Sequence, residues 1–290
     1  MAKQIVLITG CSSGMGLDFA VTMAKDVDQR YIVYATMRNL AKKEGLVQRA
    51  GDALNKTLFI KQLDVTKGDD IKKAVSEIYS EHNHIDILVN NAGYGQFNAF
   101  EEVPMEKVRA IFEVNMFGRI QLCQQVIPKM KERKSGRIIF IGAGMGLVGY
   151  PFNEFYSAAY FAMEGFAEAF APIGRQFNIW VSTIEPGPVS TDFDANVTTN
   201  GMGKFAEGIG NEADPTTQKL AENLSKKMQN EIGNMSQSPE EITKLLLKSV
   251  NSEKPHLRYS TSEHVSELYK RKYLDITGDG IVEGMCHLLS

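Results

Sequence analysis

The sequence predicts an α/β fold: a doubly wound parallel sheet in a single domain over residues 1–290, with a small helical lid at 188–236. Two observations predict it. Short apolar runs alternate with helix-length stretches as far as residue 185. A glycine-rich turn also follows the first apolar run directly and opens a helix, which is the hallmark of a Rossmann-type unit. The strand runs are 5–8, 31–36, 58–62, 85–89, 137–141 and 179–183, and each is near-continuously apolar, as a strand covered on both faces must be. Residues 256–259 read as a last strand.

Composition narrows the classes. With 43% hydrophobic and 23% charged residues the chain can bury a sizeable core. A net charge of −3 gives no electrostatic reason to expect nucleic acid or an acidic membrane surface. No apolar run is long enough to span a bilayer. Run 5–8 is too short for a signal-peptide core. Cys11, Cys123 and Cys286 are too scattered for a disulfide framework or a metal cluster, and the expectation is reduced thiols in a cytoplasmic protein. The histidines show no metal-site spacing, and His82 and His84 read as part of a solvated turn. Asp275 to Cys286 begins like a calcium loop, but Cys286 stands where a bidentate Glu is required, so no metal is expected.

The chemistry-bearing positions follow in order. Gly10, Ser12, Ser13, Gly14, Met15 and Gly16 form the first turn, with glycines that let a pyrophosphate approach the backbone at a helix N-terminus. Strand two ends Ala35-Thr36-Met37-Arg38, with no carboxylate for a ribose 2′-hydroxyl, while Arg38 suits a 2′-phosphate and so favours NADP(H). Asp64, with Val65 beside it, offers an acceptor to an adenine amine. Asn90-Asn91-Ala92-Gly93 closes strand four with small residues. Asn115 lies mid-helix among apolar neighbours, where a polar amide needs a partner. Strand 137–141 then leads through a glycine-rich turn containing Ala143 to a helix near Asn153, which carries Tyr156 and, one turn later on the same face, Tyr160.

Together with Pro186-Gly187-Pro188-Val189-Ser190-Thr191, these segments resemble the short-chain dehydrogenase/reductase family over residues 3–260. The wording of Thr-Gly-Cys-Ser-Ser-Gly, Tyr-Ala-Thr-Met-Arg and Gly-Tyr-Pro-Phe-Asn resembles its NADP(H)-preferring branch of hydroxysteroid and retinol dehydrogenases. The resemblance implies a cofactor site built from the residues above together with Tyr156, Pro186, Gly187, Val189 and Thr191. It implies a hydrophobic steroid- or retinoid-like ligand near Ala143, Val148, Asn153, Pro188 and Phe193. It also implies a homodimer through the long helices, in keeping with the Phe- and Ala-rich stretch after Tyr156 that is apolar nearly all round.

The resemblance implies that Tyr156 is the general acid/base and Asn115 its support. It also implies a Ser at 143 and a Lys at 160, where this chain has Ala143 and Tyr160. Ala143 has no donor to polarise a carbonyl, a loss that typically costs about 10²–10³ in rate. Tyr160 brings no cation to lower the Tyr156 pKa, and failed acid/base tuning costs roughly 10²–10⁴. Three readings stay open: a binding protein or pseudoenzyme, an enzyme rewired around Tyr156, Tyr160, Asn153 or Glu154, and an inactivated copy of an active enzyme. In the lid, a helix is expected over 216–228, and Ser238-Pro239-Glu240-Glu241 has the order of a capped helix start.

Overall fold

The computed structural model describes residues 2–191, 209 and 213–290. Phe193, in the segment the sequence reading assigns to substrate, lies outside the described residues. Seven parallel strands, β1 (Gln4–Ile8), β2 (Tyr31–Met37), β3 (Leu58–Gln62), β4 (Ile87–Asn90), β5 (Gly136–Ile141), β6 (Ile179–Glu185) and β7 (Arg258–Ser260), lie in the order β3-β2-β1-β4-β5-β6-β7. The order reverses between β1 and β4, where Val6, Leu7 and Ile8 pair with Ile87, Leu88 and Val89. In an open parallel sheet a ligand crevice opens at the carboxyl ends of such a strand pair.

The helices are α1 (Gly14–Ala24), α2 (Glu44–Ala50), α3 (Gly68–His82), α4 (Met105–Phe112), α5 (Gly118–Arg133), α6 (Glu154–Arg175), α7 (Pro215–Met235), α8 (Pro239–Asn251), α9 (Glu263–Leu274) and α10 (Asp279–Leu289). Alternation of side chains along the strands divides the core in two. Val6, Ile8, Val33 and Val89 pack with Phe19 and Met23 of α1 and Ile242 and Leu246 of α8. Leu7, Leu88, Ile138 and Phe140 pack with Ile78 of α3, Leu122 and Val126 of α5 and Met163 of α6. Burying each such aliphatic side chain contributes about 1.5–3 kcal/mol. Asp18, buried within α1, accepts from Arg49 of α2 and, at 2.7 Å, from Thr243 of α8, locking three helices on one face.

Some boundaries differ from the sequence reading. β4 starts at Ile87 because Asp86 breaks the apolar run: its carboxylate takes the Ile5 N–H at 2.7 Å. The last strand begins at Arg258, since the His256 N–H is used by the Tyr259 hydroxyl at 3.0 Å. The helix expected over 216–228 is longer, Pro215–Met235. Ser238 does cap α8, in a reciprocal capping box with Glu241. His82 and His84 are not simply solvated: His82 Nε2 lies 2.7 Å from the Tyr34 hydroxyl and His84 Nε2 3.2 Å from Asp86.

Candidate active site

The phosphate-binding turn forms because Gly10 and Gly14 have φ of +72° and +58°, values that L side chains rarely adopt. A Cβ on Gly10 would lie 2.8 Å from Ala92 Cα, and one on Gly14 3.1 Å from the Thr191 methyl. A Cβ on Gly16 would run into the Gly10 carbonyl and the Asn91 amide, so the start of α1 sits hard against the turn. Ser13 is the N-cap with no side-chain capping bond, and the first turn of α1 carries no acid. These features leave backbone N–H groups and a positive helix end for a diphosphate, and the turn fits a dinucleotide.

Asn91 is committed to the turn: its amide donates to the Thr9 and Gly10 carbonyls at 2.9 and 3.0 Å. The Thr9 hydroxyl accepts the Asn91 and Ala92 N–H groups, both at 3.0 Å. Any cofactor contact at Asn91 and Ala92 would therefore come from the backbone. Asp64 Oδ1 accepts from the Thr66 N–H and hydroxyl at 3.0 and 2.8 Å. Val65 is buried against Gly118 at the start of α5. Arg38 is exposed at the end of β2, close enough to Tyr94 for its charge to lower that phenol's pKa against the upward push of burial.

Beyond β6, the Pro186 carbonyl accepts the Gly144 N–H at 2.7 Å and the Gly187 N–H meets the Thr261 hydroxyl at 3.3 Å. The Pro188 carbonyl accepts the Gln237 N–H at 2.9 Å, and Val189 bridges to Gln237. This segment carries Thr191 to Gly14 and closes the turn from above.

Asn115 sits in a π-helical turn, Glu113–Phe117, that joins α4 to α5. Its Oδ1 accepts the Tyr94 N–H at 3.1 Å and its Nδ2 donates to the Tyr94 carbonyl at 2.9 Å. The side chain thus holds the loop after Gly93 as a satisfied core asparagine. Ala143 is buried, and its N–H donates to Glu185 Oε2 at 3.0 Å. No side-chain donor faces the substrate oxygen from that position.

Tyr156 and Tyr160 stand one turn apart on α6, with ring centroids 4.7 Å apart and planes 55° apart. Burial holds the Tyr156 phenol well above its ordinary pKa, and the neighbouring Tyr160, hydrogen-bonded to it, adds to the rise. Arg119 is a residue that sequence reading missed. It is 1% exposed, donates from Nη1 to the Ile141 carbonyl at 2.8 Å, and from Nη2 to the Ala92 carbonyl at 3.0 Å and the Tyr160 hydroxyl at 3.1 Å. Its guanidinium lies 5.0 Å from the centre of the Tyr160 ring. A Cβ on Gly93 would meet the Tyr160 hydroxyl at 2.7 Å, Arg119 Nη2 at 3.0 Å and Asn115 Oδ1 at 3.1 Å, so these three polar groups converge under Gly93. The available signal was spacing, since Arg119 follows Asn115 by one helical turn and shares its face.

Glu185 and Glu164 were missed as well. Burial pushes the Glu185 carboxyl far above the ordinary range, and the neighbouring Glu164 adds to the rise. Arg258 Nε donates to Glu164 at 2.8 Å from the far side.

Val148 packs with Leu147, Val265 of α9 and Tyr269. The Asn153 amide donates to the Pro151 carbonyl at 3.1 Å, and Glu154 Oε1 accepts the Phe152 N–H at 2.8 Å. Phe152 packs with Phe97 and with Ala221 and Leu224 of α7. α7 and α10 are tied by Asn223 Nδ2 donating to the Leu289 carbonyl at 3.1 Å and Lys227 to the His287 carbonyl at 2.6 Å.

Fold and site together define a nicotinamide-dependent oxidoreductase scaffold. A profile described as short chain dehydrogenase matches residues 4–201, and the chain belongs to the short-chain dehydrogenase/reductase family, which binds a nicotinamide cofactor. It stands with that family's retinol and hydroxysteroid dehydrogenase branch. It is 39% identical over 282 residues to retinol dehydrogenase 8 of Bos taurus, covering 96% of this chain and 87% of the relative. It is 35% identical over 288 residues to human 17-beta-hydroxysteroid dehydrogenase type 1, covering 98% and 85%. Among solved structures, a short-chain dehydrogenase from Streptomyces avermitilis aligns with a TM-score of 0.77 at 26% identity, covering 98% of this chain and 96% of that one.

Proposed function

We propose that this chain binds NADP(H) together with a hydrophobic, steroid- or retinoid-like ligand, and that its ordinary dehydrogenase turnover is impaired. The observation that carries the reading is the pairing of an intact phosphate turn with a reacting phenol, Tyr156, that has neither a donor at Ala143 nor a lysine at position 160. Arg38 supports NADP(H) over NAD(H) through its pairing with a 2′-phosphate. When bound, the nicotinamide would exchange a hydride with a carbonyl or carbinol carbon of the ligand.

The apolar walls at Val148, Phe152 and the lid helix support a bulky hydrophobic ligand, as do the names of the relatives. Residues 188–236 act as the lid. Exposed Phe117, at the end of the π-helical turn before α5, and Phe161 on α6 support a homodimer. Buried thiols at Cys11 and Cys123, pushed up to about 12 by burial, support a reducing, cytoplasmic setting, and among the described residues no helix is long and apolar enough to cross a membrane.

A second reading, a rewired reductase that uses Tyr156, is favoured by one contact: the Arg119 guanidinium on the Tyr160 hydroxyl. Fluorescence titration with NADPH and NADH tests the first reading. Tight NADPH binding with ketone reduction far below the family's ordinary rate is the expected result. Absence of binding, or turnover at that ordinary rate, would overturn it.

A further inference from the structure

We infer that Gln96 is a ligand-binding residue, whose side-chain amide donates to the oxygen of a hydrophobic ketone or aldehyde in place of the donor that Ala143 lacks. The inference rests on the reading that the crevice before Tyr156 takes a hydrophobic ligand.

Gln96 lies on the loop that leaves β4, whose carboxyl end borders the crevice. It is 1% exposed, and its Oε1 accepts the Phe155 N–H at 3.1 Å. That N–H is one of the open donors in the first turn of α6, and Asn153, the N-cap, makes no side-chain capping bond. Gln96 therefore caps α6 from the β4 loop. The next residue on the helix is Tyr156, so the amide and the phenol share the entrance of α6.

A backbone N–H can only donate, which fixes Oε1 toward Phe155 and turns the NH2 group away from it. Nε2 is buried, and among the described residues no hydrogen-bond partner meets it. A buried donor without an acceptor is costly, and an acceptor brought by a ligand removes that cost. The loop is held too firmly for the amide to swing out. Asn115 bonds both the N–H and the carbonyl of Tyr94, at 3.1 and 2.9 Å, and the Asn98 N–H donates to the Phe152 carbonyl at 3.1 Å. Gln96 sits between these anchors. A neutral amide suits the task, because it holds an oxygen and the negative charge that develops there without giving up a proton. The neighbouring wall is aromatic, with the rings of Phe97 and Phe152 centred 5.7 Å apart, so the rest of the ligand is apolar.

Calorimetric titration of the full chain with 2-acetylnaphthalene and 2-ethylnaphthalene, flat apolar probes that differ by one ketone oxygen, tests the assignment. Gln96→Met keeps the length of the side chain but removes the amide. It should lower affinity for the ketone relative to the ethyl probe about tenfold. A residue that only caps α6 would weaken both probes alike or neither, so an unchanged ratio would overturn the inference. Binding of the ethyl probe reports the apolar crevice separately. If it binds while the ratio stays fixed, Gln96 alone is misassigned; if neither probe binds the unsubstituted chain, the ligand reading fails and this inference falls with it. Should Gln96→Met not fold, the ¹⁵N resonance of the Gln96 side-chain amide, identified by its proximity to the Phe155 N–H, decides. It is expected to move with the ketone and not with the ethyl probe, and an equal response to both would overturn the assignment.

Discussion

Glu185 at the end of β6 accepts the Ala143 N–H at 3.0 Å, so the loop that carries the family's serine position is held by a buried carboxyl. Burial raises the Glu185 pKa in the folded chain, and an acid raised on folding gives stability that is complete below its ordinary pKa of 4.5 and drains as pH rises toward the folded value. Thermal stability should therefore fall from pH 5 to pH 8. Glu185→Gln keeps the acceptor for Ala143 and a donor for Glu164 without a titrating proton. It should flatten this slope and stabilise the chain at pH 8 by about 1 kcal/mol or more, as melting curves at the two pH values would show.

Rebuilding the family's catalytic set is not a two-residue change. Tyr160→Lys would place an ammonium where Arg119 already donates at 3.1 Å, burying two like charges at a cost of several kcal/mol. A143S/Y160K is expected to melt early and to gain little activity. Adding Arg119→Thr removes the conflict, and the triple variant should reduce hydrophobic ketones about 10²–10³-fold faster in kcat/KM than the unsubstituted chain. A double variant as active and stable as the triple would refute this.

Arg38 is exposed, so its replacement should leave stability within about 0.5 kcal/mol. Arg38→Asp exchanges a partner for a 2′-phosphate for one that suits a free 2′-hydroxyl. The ratio of NADPH to NADH affinity should fall at least about tenfold, measured by paired fluorescence titrations. An unchanged ratio would place cofactor choice elsewhere.

Gly16→Ala should be severe although the substitution is small. The added Cβ runs into the Gly10 carbonyl and the Asn91 amide, and that amide also ties the turn to β4. A loss of about 1–3 kcal/mol is expected, together with weakened NADPH binding. Chemical denaturation and titration would report the two effects separately.

The sheet was legible because parallel strands buried on both faces must be apolar, and 5–8, 31–36 and 137–141 declare that directly. Strand edges were less so: Asp86 spends its carboxylate on Ile5, and nothing local marks that contact, 81 residues away in sequence. Within the site, the glycine turn, Tyr156 and the two substituted positions were legible because fixed spacings place them. Arg119 was not, since a guanidinium in the middle of a helix reads as a surface residue. Only the fold shows that three acceptors, on Ala92, Ile141 and Tyr160, converge on its Nη1 and Nη2. The Glu164–Glu185 pair was hidden for the same reason, since only the fold brings the two carboxyls together and sets Arg258 against Glu164.

Carrying the buried cation on α5 rather than α6 makes positions 119 and 160 interdependent. The Arg119 guanidinium donates to the Tyr160 hydroxyl at 3.1 Å, so a second cation at 160 would share its dry space, and the effect of changing either residue depends on the other.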